Sequence, residues 1–188
     1  MKRRTGLTLL IIAGLICLCL GVGLTFLFTQ NPQLFQRGSQ DPAAMEEAAR
    51  SISDYTLPAG YTITQSSSIL GLTSVSLISS DGKMNITLSQ FPENAAYSRE
   101  QMEQQINTIT AQQTGLSGKL EKISEEPITL RGTETTRSLY EGKLNNGAIL
   151  RQVVIPFEGK NGPALLLARA NQDDWDEAGL SELIRSMH

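Results

Sequence analysis

Hydrophobic and polar positions divide the chain into two unequal parts. No charged residue occurs between Thr5 and Phe35, and Leu7 to Phe28 is almost wholly apolar. Those 22 residues reach roughly 33 Å as a helix, the hydrocarbon thickness of a bilayer. The pattern predicts a transmembrane helix over residues 7–29 behind a stub of residues 1–6. Lys2, Arg3 and Arg4 flank the short side, which keeps the stub cytoplasmic and sends everything past Thr29 to the other side. A cleaved signal peptide has an apolar core of about 7–15 residues and a small-x-small exit. Phe26-Leu27-Phe28-Thr29-Gln30 offers no such exit, so a retained anchor is expected.

Residues 30–40 are polar with one Pro and one Gly, a short juxtamembrane linker whose Leu34-Phe35 pair suits the headgroup level. Asp41 followed by Pro42 opens a helix with a cap and a first-turn proline, and Met45, Ala48, Ala49 and Ile52 give it a weak apolar stripe. Period-two alternation predicts strands starting at Tyr61–Ile63, over Thr73–Ser79, and through Met84, Ile86 and Leu88, the last two joined by a turn at Ser80-Asp81-Gly82-Lys83. Ser98 with Gln101 forms a capping box for a helix striped by Met102, Ile106 and Ile109 and stopped at Gly115. Further strands are expected at Leu120–Ile123, Ile128–Leu130 and Glu134–Tyr140. After an Asn145-Asn146-Gly147 turn, Ile149, Val153, Ile155 and Phe157 share one face of the next strand.

Ala164 to Ala168 is apolar at every position, so that strand is expected to be central and covered on both faces. Asp173 or Asp174 is expected to cap a last helix, with Leu180, Leu183, Ile184 and Met187 inward and Trp175 at its buried start. Residues 41–188 therefore read as one extracytoplasmic α+β domain, a mostly antiparallel sheet with helices packed on its faces as an α/β/α sandwich.

Charge narrows the partners. Lys and Arg number 16 against 19 Asp and Glu; without the three cytoplasmic basics the exported part holds 13 against 19. That excess disfavours nucleic acid and anionic headgroups. Both cysteines, Cys17 and Cys19, lie in the apolar run, so the exported domain has no disulfide and is stable by its core alone. The residues before them do not make a lipobox. Arg3-Arg4 matches a twin-arginine signal only in the pair, and Ile11 stands where a type IV prepilin has Glu. Ala13, Cys17 and Gly21 recur every four positions and are a candidate seam for a homodimer, although small residues are common in such helices.

Candidate chemistry is sparse. The one histidine, His188, is the last residue, where chains fray, and the exported part has no thiol. Ser-His-Asp and Cys-His catalysis and His- or Cys-ligated zinc are thereby close to excluded. Asp173-Asp174-Trp175-Asp176-Glu177 lacks the central Gly of a calcium loop and fits a helix start. Glu125-Glu126 before Pro127 reads as a solvated strand end, and Gly159-Lys160-Asn161-Gly162 leads into a strand and reads as a hairpin turn. Asn85-Ile86-Thr87 matches a glycosylation acceptor but lies mid-strand. No catalytic, cofactor-binding or metal-ligating residue is assigned, and no cofactor is expected.

Asp54-Tyr55-Thr56-Leu57-Pro58-Ala59-Gly60-Tyr61 opens the domain, and Phe157-Glu158-Gly159-Lys160-Asn161-Gly162-Pro163-Ala164-Leu165-Leu166 precedes Trp175 and a closing Leu-Ile-Arg-Ser-Met helix. In these stretches the chain resembles the PsbP-like superfamily of α/β/α sandwich domains, and more closely its small membrane-tethered bacterial proteins of unknown function. The resemblance implies the fold. It carries over no functional residue, because that superfamily hosts photosystem assembly factors, a nuclear-transport regulator and envelope proteins without a shared active site.

Two functions fit. One is a non-enzymatic interaction or accessory module of the cell envelope, anchored in the membrane and working through an envelope protein partner. The alternative is a small-ligand-binding protein or carboxylate-dependent enzyme using a cleft between sheet and helices. In either case the carboxy terminus is outside, so a cytoplasm-only reporter fused after His188 is expected to be inactive in cells. An active fusion would reverse the orientation.

Overall fold

The structure, a computed structural model, describes residues 37–39, 41–69, 71–93 and 99–188. The expected span 7–29, the stub, most of the linker, the Ala13-Cys17-Gly21 face and the Ser98 capping box lie outside the described residues. Among the described residues no helix is long and apolar enough to cross a membrane.

Strand β1 (Arg37–Ser39) and helix α1 (Pro42–Ile52) come first. Asp41 caps α1, its carboxylate accepting from Ala43 N at 3.3 Å, with Pro42 in the first turn and Met45, Ala49 and Ile52 buried. Strands β2 (Tyr61–Ile69), β3 (Leu72–Ser79) and β4 (Asn85–Gln90) form an antiparallel meander. Its β3–β4 turn is fixed by Asp81, which accepts from Ser79 Oγ at 2.6 Å and Lys83 N at 3.1 Å. Helix α2 (Arg99–Thr114) ends at Gly115, whose φ of 65° suits a residue without a side chain. A second meander follows: β5 (Glu121–Leu130), β6 (Thr133–Lys143), β7 (Ile149–Gly159) and β8 (Gly162–Asn171). A short 3₁₀ turn (Gln172–Asp174) leads to α3 (Glu177–Ser186).

The sheet order is β1-β2-β3-β4-β8-β7-β6-β5, so the last strand made joins the two meanders by pairing antiparallel with β4. Ala164 to Ala168 are all buried, as a strand covered on both faces requires. Ala164, Leu166 and Ala168 belong to a core shared with Ala49 and Ile52 of α1 and Leu180 and Leu183 of α3. Leu165 and Leu167 belong to a smaller cluster with Tyr140 and Val154, against which Ile106 of α2 packs. The β7–β8 turn is tied to the end of α1: Lys160 N donates to Ile52 O at 2.9 Å, and Lys160 Nζ pairs with Asp54 at 2.7 Å. The closing residue is held in place as well, with His188 N donating to Asp54 O at 3.1 Å.

Four local expectations need correction. Leu120–Ile123 and Ile128–Leu130 are parts of one strand, β5, that runs through Pro127. It lies at the sheet edge, where a missing N–H costs no ladder bond, and Glu125-Glu126 is mid-strand. On α2 the inward positions are Met102, Glu103 and Thr110 with Ile106 half-buried, whereas Ile109 is 44% exposed. Neither Asp173 nor Asp174 caps α3. The chain turns and extends through Trp175 first, so the cap is Asp176, accepting from Gly179 N at 2.9 Å and from the Tyr61 hydroxyl at 3.0 Å. Trp175 is half-buried, its Nε1 donating to Glu177 at 2.9 Å and the Arg151 guanidinium lying 5.8 Å from its ring centre.

This places the weight of α3 on its leucines. Leu183→Ala, at a fully buried position, is expected to cost about 2–5 kcal/mol. Trp175→Ala should cost less than the ~3–5 kcal/mol of a fully buried ring. Denaturant midpoints of the full chain in neutral detergent check both; a larger loss at Trp175 would restore it as the anchor of the core.

Candidate functional site

The polar side chains buried between α2 and the sheet are the first candidate. α2 is a polar helix, and two of its inward positions are Glu103 and Thr110. Glu103, 8% exposed, accepts from the Tyr140 hydroxyl at 2.7 Å and from Lys122 Nζ at 3.4 Å, with Ser138 Oγ at 3.5 Å. Two turns along, Thr110 Oγ1 donates to Gln152 Oε1 at 2.7 Å, and Gln152 Nε2 donates to Asn107 Oδ1 at 2.7 Å. Burial raises the Tyr140 pKa, and its hydrogen bond to Glu103 raises it further, so the phenol stays a donor at neutral pH. Burial acts against the Lys122 ammonium, but Glu125, at 3.0 Å, and Glu103 outweigh it and lift its pKa above the usual lysine value.

Energetically this network is close to balanced. Burying an ion costs several kcal/mol, and a hydrogen bond to a charged group returns about 1.5–3 kcal/mol. It therefore fixes where α2 sits more than it adds stability. Glu103 does not line the 650 Å³ cleft beside α2, whose walls include Gln104, Asn107, Thr108 and Leu120.

The second candidate is a groove of 520 Å³ between α1 and β2, lined by Met45, Ala49, Tyr55, Leu57 and Ile63, with the Glu46–Arg50 pair, 2.7 Å apart, at its side. The Tyr55 hydroxyl is buried there and has no hydrogen-bond partner among the described residues. Burial, with a smaller contribution from Glu46, pushes its pKa up to about 12.

Residues singled out in the sequence are dispersed. Asp174 pairs with Lys83 at 2.8 Å, Asp176 caps α3, and Glu177 pairs with Arg137 at 2.7 Å. Among the described residues no group of three or more His, Cys, Asp or Glu is placed to hold a metal ion. Gly159 and Gly162 pair across a two-residue turn, Asn85 donates to Leu77 O at 3.3 Å within the sheet, and His188 is exposed. Sequence reasoning missed Glu103, Tyr140 and Tyr55. The available signal for Glu103 was its position beside Met102, one turn before Ile106, on the stripe's inner edge.

No protein-family model matches the chain, and no curated protein matches it. Among solved structures it is similar to the solution structure of cyanobacterial PsbP (CyanoP) from Synechocystis sp. PCC 6803, at 12% identity and a TM-score of 0.41, over 73% of this chain and 92% of that one. That protein bears the name of the superfamily the sequence resembles. A likeness at this level carries no inference about activity, ligand or partner.

Tyr55 yields a test. An unpartnered buried hydroxyl costs about 1–3 kcal/mol, so Tyr55→Phe should leave the melting temperature unchanged or raise it at pH 7. Between the ordinary pKa of 10 and about 12 the unfolded tyrosine ionises while the folded one stays protonated. Stability conferred by the raised pKa is complete below pH 10 and is lost as pH rises toward 12. Melting scans across that range should fall less steeply in the variant; an unchanged slope with a lower melting temperature at pH 7 would show that the hydroxyl has a partner.

Proposed function

We propose that the chain is a single-pass, membrane-anchored protein whose residues 41–188 act outside the cytoplasm as a non-enzymatic interaction or accessory module of the cell envelope. The observation that carries this reading is the state of Glu103. It is the buried carboxylate of the described domain, and its oxygens are taken by Tyr140, Lys122 and Ser138 under a helix. A general base needs a free lone pair within reach of a substrate proton. The basic flank of the apolar run supports the orientation, and the acidic excess supports a protein partner over nucleic acid or anionic lipid.

A second reading, small-ligand binding between sheet and helices, is favoured by the groove at Tyr55, where a buried hydroxyl faces an apolar recess without a partner.

The purified full chain is expected to turn over nothing on broad ester, phosphate, peptide and glycoside panels. Cross-linking in intact cells should join it to a specific envelope protein. Reproducible turnover lost in Glu103→Gln, a change that keeps the side chain's size, would overturn the reading in favour of a carboxylate-dependent enzyme.

A further inference from the structure

Among the described residues, α2 lies over one half of its sheet face, and no other described helix packs on the second half. The side chains to which α2 is hydrogen-bonded belong to β5, β6 and β7. On β8 the alternation that turns Leu165 and Leu167 to this face also turns Arg169 to it. Ladder register sets Asn85 of β4 and Gln152 of β7 on either side of Arg169. Toward β3 the same face shows Ser74, Ser76, Thr87 and Ser89, all half-buried, because Val75, Leu77, Ile86 and Leu88 take the opposite face into the main core.

Arg169 is half-buried, and among the described residues its guanidinium makes no ion pair and donates no hydrogen bond. Burial lowers its pKa from the usual arginine value. The flanking amides are already engaged. Asn85 donates to Leu77 O at 3.3 Å and accepts from Thr87 at 3.1 Å, while Gln152 is held by Thr110 and Asn107. A cation drawn partly out of water without a partner is costly, and it stands on a strand whose other central positions are apolar.

We propose that Arg169 and the adjoining hydroxyl shelf bind a polyhydroxylated carboxylate, the chemistry of a uronic-acid saccharide. The guanidinium fork matches a carboxylate with two parallel hydrogen bonds. A single cation balances a single negative charge, whereas a phosphate monoester brings about −1.5 to −2 at neutral pH, against a domain already rich in acids. Serine and threonine hydroxyls both donate and accept, as sugar hydroxyls do. Ser74 and Ser89, 2.9 Å apart with either able to donate, show that versatility on the shelf itself. The proposal concerns a different face from the Tyr55 groove and does not rest on the partner-binding reading.

Titration of the full chain in neutral detergent with galacturonate, which carries one carboxylate, followed by calorimetry and by amide shifts, tests it. Saturable binding is expected, with shifts centred on β3, β4 and β8. Arg169→Gln should weaken it at least about tenfold, the equivalent of ~1.4 kcal/mol. Arg169→Lys, which keeps the charge and loses the fork, should fall between. Ser76→Ala carries the test should both arginine variants fail to fold, with a few-fold loss expected. Neutral galactose, inorganic phosphate and an oligoglutamate peptide should each bind at least about tenfold more weakly. The proposal is overturned by absence of saturable binding, by folded variants with unchanged affinity, or by any of the three control probes binding as tightly as galacturonate.

Discussion

The ladder between β4 and β8 is the constraint from which the rest of the domain follows. The chain builds a three-strand meander, crosses over through α2, and builds a second meander whose last strand returns to lie against the first. Because β8 then has a strand on each side and side chains buried on each face, none of its positions from Ala164 to Ala168 is free to be polar. The alternation within that run is one of size, with Ala164, Ala168 and Ala170 flanking Leu166 on the face that α1 and α3 share. Small residues on the strand leave room for Ile52, Leu180 and Leu183 from the helices, so that large side chains face small ones across the layer. Moving β8 by one residue would exchange its two faces and bring Arg169 into the helix layer.

That face is also where the chain's ends of structure converge. The β7–β8 turn bonds to the last carbonyl of α1, the Ser186 hydroxyl accepts from Thr56 N at 3.0 Å, and His188 N reaches Asp54 O. Each of these contacts spans more than a hundred residues of sequence. Long-range closure of this kind is slow to form, since loop entropy is lost before the contacts repay it. It also couples α1, α3 and the central hairpin, so loosening any one exposes the same apolar layer.

Periodicity in the sequence was sufficient wherever burial alone selects the residue. It located both meanders, the turns at Asp81-Gly82 and Asn146-Gly147, and the doubly covered strand. It was insufficient where a polar side chain takes a buried place. Ile109 looks inward by apolar counting, yet Thr110 occupies that place because Gln152 offers it a hydrogen bond, as Tyr140 does for Glu103. Pro127 suggests a break in any strand except one at an edge, and edge position is a property of the whole topology. Asp176 as the α3 cap depended on the length of the turn before it, which composition does not reveal. The candidate sites were still less legible. Tyr55 was visible as part of the domain's opening motif, but an orphaned hydroxyl exists only once α1 and β2 have met around it.

The two faces of the sheet thus carry different burdens. The α1–α3 face holds most of the large apolar side chains, and a substitution there opens a cavity that the close-packed layer cannot fill. The α2 face holds a smaller apolar cluster surrounded by hydroxyls, amides, a buried carboxylate and a guanidinium unpaired among the described residues. Polar groups of this kind contribute little net stability, because desolvation offsets most of what their hydrogen bonds return. Their energetic neutrality frees that face to vary without unfolding the domain. A fold arranged in this way can keep its core residues while its polar face is altered to suit a new ligand or partner. Its outline therefore says less about activity than the side chains on the α2 side do.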